Sequence, residues 1–86
     1  MPNEIGASIC GTPNGGIAFG PWAEGTPTSV HVQVSCPPGM DFLGIYHTHP
    51  GGVAQPSAQD MKAGLAVNAK HLCISADGDL RCYRKK

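Results

Sequence analysis

The residues best suited to chemistry lie in one stretch. His47-Thr48-His49 is followed by Pro50 to Pro56 and then by Ser57 and Asp60, an H-x-H-x7-S-x2-D pattern. Residues two apart on a strand project to the same side, so both imidazoles can reach one ion, and imidazole nitrogen suits a first-row metal. Pro50 ends a strand by removing a backbone donor, and the glycines after it let the chain turn back, which would carry Asp60 to the same ion. Two histidines and one carboxylate leave a fourth tetrahedral position open, as in a catalytic zinc site, where bound water turns acidic enough to attack near neutral pH. A structural zinc would be closed by four protein ligands, and the chain has no clustered cysteines to close it.

Such a site also needs a general base, and the candidates are Glu4 and Glu24. Both are open on sequence alone. Glu4 is favoured because it immediately precedes an apolar run, whereas Glu24 sits in a turn rich in glycine and proline. Ser57 has two compatible readings, helix N-cap or hydroxyl donor to an oxyanion. An H-x-H pair by itself is a weak signal; its placement behind an apolar strand and ahead of a helix start gives it weight.

The elements that must position these groups follow from the punctuation of the chain. Ile5 to Cys10 and Ile17 to Trp22 flank Thr12-Pro13-Asn14-Gly15-Gly16 and read as a hairpin. Ser29 to Ser35 alternates, with Val30, Val32 and Val34 on one face and an exposed His31 on the other, as a half-buried strand does. Phe42 to Tyr46 is a compact apolar run that reads as a central strand and delivers the chain into His47. Ser57-Ala58-Gln59-Asp60 resembles a capping box and opens a helix predicted to reach about Lys70. Leu72 to Ser75 and Leu80 to Tyr83 flank Asp77-Gly78, which suits a type I′ turn. In that register Cys73 faces Cys82 at about 4.5 Å between Cα atoms, within crosslinking reach. Cytosolic thiols are normally kept reduced, so a disulfide and a packed pair of free cysteines both remain open.

The expected fold class is therefore α+β: a small mixed, curved sheet of short strands packed with a central helix. At 86 residues the chain is expected to be a single domain over 1–86, and 41% apolar against 14% charged residues favours a packed core over disorder. Six basic and six acidic residues cancel, which argues against nucleic acid and anionic membranes as partners. No apolar stretch approaches the roughly 20 residues that span a bilayer, and no signal peptide is evident. A cytoplasmic protein is expected.

At these residues the chain resembles the JAMM/MPN-plus metalloprotease family, whose signature is a distant glutamate followed by H-[ST]-H-P-x6-S-x2-D. The resemblance implies that His47, His49 and Asp60 bind zinc, that Glu4 is the acid/base, and that Ser57 supports the tetrahedral intermediate. It extends to Pro2-Asn3-Glu4-Ile5-Gly6 and to Phe42-Leu43-Gly44-Ile45-Tyr46, and it implies a core like that of cytidine deaminases. The family cuts peptide or isopeptide bonds, commonly after a diglycine tail. This chain lacks the long insertions by which eukaryotic members grip ubiquitin, so the implied partner is the tail of a ubiquitin-like or sulfur-carrier protein, held along a strand edge. Two alternatives stand beside this reading: a zinc peptidase acting on short cell-wall or phage peptides, and a non-catalytic binding module of the same fold.

Overall fold

The structure is a computed structural model, and it describes residues 2–52, 61–62, 67 and 69–84. Six strands run in chain order: β1 (Ile5–Gly11), β2 (Ile17–Phe19), β3 (Ala23–Glu24), β4 (Asp41–Thr48), β5 (His71–Ala76) and β6 (Asp79–Arg84). They form one mixed sheet in the order β2-β1-β4-β5-β6, with β3 pairing the other end of β1's outer edge. The β4–β5 pair is parallel, while β1–β2, β1–β3, β1–β4 and β5–β6 are antiparallel.

This architecture corrects the α+β expectation. The described residues build strands only, and no helical element stands among them, although Met61 and Lys62 have helical backbone. The run expected as a central helix, 57–70, lies mostly outside the described residues. Its final residues already serve the sheet: Lys70 N donates to Leu43 O at 3.0 Å, and Ala69 and Val67 pack against Ile45, Leu72 and Ile74. The capping-box-like start at 57–60 on which the helix expectation rested lies outside the described residues.

Ser29 to Ser35 also differs from expectation, since it belongs to no strand. Its alternation is real in part, because Val32 packs on the core and His31 is exposed. The segment meets β1 through a side chain instead of a ladder: Ser8 Oγ donates to Gln33 O at 2.7 Å and accepts from Ser35 N at 3.1 Å. A ladder is replaced by one buried hydroxyl that satisfies both groups. A disulfide between Cys10 and Cys36, Cα atoms 5.8 Å apart, closes the same arrangement and was not foreseen in the sequence.

The two hairpins expected at either end are present. β1 and β2 pair Gly11 with Ile17 across the 12–16 turn, although β2 ends at Phe19. β5 and β6 turn at Asp77 and Gly78, whose φ angles of 49° and 82° are both positive, as a type I′ turn demands. Cys73 pairs with Cys82 in that register, and the two form a disulfide with Cα atoms 4.0 Å apart. No described cysteine is free.

Ile45, Leu72, Ile74 and Ala69 form the core cluster. Because Ile45 pairs with Leu72 and His47 with Ile74, the core and His47 occupy one face of the sheet. The opposite face carries Tyr46 with Phe19 and Trp22, their ring centroids 5.1 to 6.0 Å apart. Among the described residues, no helix is long and apolar enough to cross a membrane.

Candidate metal centre

His47 lies near the end of β4, the strand paired on both sides, by β1 and by β5. That central position buries its side chain, leaving the residue 4% exposed. The β1–β4 register sets Gly6 opposite His47; continued outward by two residues, it carries Glu4 toward His49. Side chains alternate along a strand, so Glu4, Gly6, His47 and His49 belong to one face, and the absence of a side chain at Gly6 lets Val32 and the β4 backbone close in beside His47.

The outcome is a compact cluster. Glu4 is 5% exposed, and its Oε1 lies 3.3 Å from His47 Nδ1. The imidazoles of His47 and His49 meet edge on, with centroids 4.8 Å apart and planes at 66°. Ligand atoms of Glu4, His47 and His49 all fall within 4.8 Å of one another. The two imidazoles, mostly buried, suit a divalent transition metal, and the carboxylate beside them is close enough to serve as a ligand or as a base. A buried carboxylate needs a partner to offset its desolvation, and the His47 imidazole, 3.3 Å from Glu4 Oε1, is one.

Glu4 is held firmly by its backbone. Its N–H donates to Thr26 O at 2.8 Å, and its carbonyl accepts from Gly25 N at 2.9 Å. Glu24, the other candidate base, pairs with Ile5 and so belongs to the other face. It is exposed and accepts from Asn3 Nδ2 at 2.9 Å. Of the residues singled out in the sequence, the structure thus brings together Glu4, His47 and His49 and leaves Glu24 apart. Ser57 and Asp60 lie outside the described residues. Gly6 was not singled out, since a glycine inside a strand gives no hint of what faces it until the register is known.

A mixed sheet with a histidine pair at the end of its central strand and a buried glutamate from the neighbouring strand gives the domain a candidate metal centre. Residues 1–84 match the family of prokaryotic homologs of the JAB domain, and the chain belongs to that family. Among solved structures it is similar to a JAB1/MPN-domain protein from Archaeoglobus fulgidus, with 27% identity and a TM-score of 0.61 over 96% of this chain and 71% of that one. No curated protein matches.

Proposed function

We propose that this chain is a zinc-dependent peptidase or isopeptidase. The observation that carries the reading is the buried Glu4 carboxylate against His47, with His49 close enough to share one ion. His47 and His49 hold the metal, and the motif assigns Asp60 as their third partner. A bound zinc supplies Lewis acidity, polarising the scissile carbonyl and acidifying water. Glu4 takes a proton from the attacking water and delivers it to the leaving amine. Its low exposure keeps bulk water from competing for that proton. Ser57 donates its hydroxyl to the oxyanion.

The proposed substrate is the thin C-terminal tail of a ubiquitin-like or sulfur-carrier protein, added as an extended strand beside the sheet. A cytoplasmic setting is part of the proposal. It requires the disulfides to survive a reducing pool, as those of intracellular hyperthermophile proteins do.

The test is cleavage of diglycine-tailed fusions and of short peptides by zinc-loaded protein. Expected is cleavage of the fusions after the diglycine, abolished by a chelator and restored by zinc. Cleavage of short peptides alone would move the substrate to the cell-wall or phage class. No cleavage, with the fusion still bound, would make the chain a non-catalytic binding module.

A further inference from the structure

The backbone register between β1 and β4 runs out at Gly6 and His47, one step short of the end of β4. Glu4 lies two residues beyond that last pair. The next amide outward, Ile5 N–H, donates to the side-chain hydroxyl of Thr48 at 3.0 Å. Thr48 is the residue between the two histidines. Its own backbone is engaged on the other side, where it pairs with Ser75 of β5 and the following His49 N donates to Ser75 O at 2.8 Å.

Glu4 is therefore held from two sides. Residues 25 and 26 bind its N–H and carbonyl on the outer edge, and Thr48 binds the very next amide on the inner edge. The outer contacts fix Glu4 to a loop, whereas the Thr48 bond fixes it to the strand that carries the histidines. Beyond the Gly6–His47 pair, the Thr48 bond is the next link outward between the Glu4 segment and the histidine strand, and it adds to the direct contact of Glu4 Oε1 with His47 Nδ1 at 3.3 Å. We propose that Thr48, through its hydroxyl, is a positioning residue that sets Glu4 against His47 and His49.

The proposal rests on the hydrolase reading of the site, and its test separates the two. Thr48→Val keeps the shape and removes the acceptor; Thr48→Ser keeps the acceptor. In Thr48→Val, exchange of the Ile5 amide should quicken by about tenfold or more, and the 13C shift of the Glu4 carboxyl should move, with both returning in Thr48→Ser. Zinc affinity should stay within about threefold of wild type. Turnover should fall by about tenfold to a hundredfold with KM little changed, since misplacing a catalytic group by about 1 Å has that effect. Thr48→Ala, which removes the same hydroxyl with less bulk, serves if the valine variant fails to fold.

An unchanged Ile5 amide and Glu4 carboxyl in the folded valine or alanine variant would overturn the proposal. So would zinc affinity falling in step with turnover, because Thr48 would then be acting on the metal ligands. If wild-type protein cleaves nothing, the hydrolase reading fails alone, and the amide and carboxyl signals still decide the role of Thr48.

Discussion

Gly6 stands directly across the β1–β4 ladder from His47, and nothing larger fits there. A Cβ at position 6 would lie 2.7 Å from Val32 Cγ2, 2.8 Å from Tyr46 O and 3.1 Å from His47 Cβ. Val32 can rotate, but the Tyr46 carbonyl belongs to the central strand. Gly6→Ala should therefore separate β1 from β4 near the histidine. Overpacking of this kind costs about 1 to 3 kcal/mol, to be read by urea denaturation together with a loss of zinc affinity. An alanine variant with wild-type stability and affinity would mean that the strands are not this close.

Glu4 and Glu24 make a paired test, because the sheet puts them on opposite faces. Glu4→Gln should keep zinc and lose hydrolysis by about a hundredfold or more, within the usual contribution of a positioned acid/base. Glu24→Gln, at an exposed residue bonded to Asn3, should leave turnover unchanged. His49→Ala should lower bound zinc itself, measured by elemental analysis of protein purified without added metal. Full activity of Glu4→Gln would transfer the base to another group.

How much of this was legible beforehand varies with the physics. The hairpins were readable because Asp77-Gly78 and Asn14-Gly15 encode their own turns, and β4 because a short apolar run next to glycine and proline has few alternatives. The proximity of His47 and His49 follows from strand periodicity. What could not be read were relations across distant strands. Gly6 facing His47 and Ile5 meeting Thr48 need the β1–β4 register, which no local pattern states. The Ser29 to Ser35 run misled for a related reason: its alternation reports burial, and a segment can be half-buried by a hydroxyl and a disulfide without joining a ladder. The α+β expectation leaned on local helix preference across 57–70, where the described residues at the C-terminal end serve the core and β5 instead.

The two disulfides predict a thiol count and a ranking. Protein alkylated without reduction should take up no label, since no described cysteine is free; labelling of all four would show that the crosslinks do not form where the protein is made. Cys10–Cys36 spans a sequence separation of 26 and Cys73–Cys82 one of 9. Closing the longer loop removes more unfolded-state entropy, about 3.5 kcal/mol against about 2.6 kcal/mol on the chain-entropy estimate. Paired serine substitutions should therefore destabilise more at Cys10 and Cys36, read as a larger drop in denaturation midpoint. The longer crosslink also ends the 25–36 segment, whose other end bonds Glu4. Its loss should consequently lower turnover as well, whereas loss of Cys73–Cys82 should not.

Gly78 offers a test of the β5–β6 hairpin that leaves the metal centre alone. Its φ of 82° follows a φ of 49° at Asp77, so both central turn positions are left-handed. A Cβ at position 78 would meet nothing within 4 Å, which removes crowding from consideration and isolates backbone conformation. Gly78→Ala should cost on the order of 1 kcal/mol, the strain of holding a non-glycine residue there. Asp77→Asn should be close to neutral, because asparagine tolerates the same region. The hairpin holds Cys82 opposite Cys73 on the face away from His47. Zinc affinity should accordingly survive Gly78→Ala even as the unfolding midpoint drops. A variant that lost zinc at full stability would mean that the hairpin reaches the metal centre by a route the sheet register does not contain.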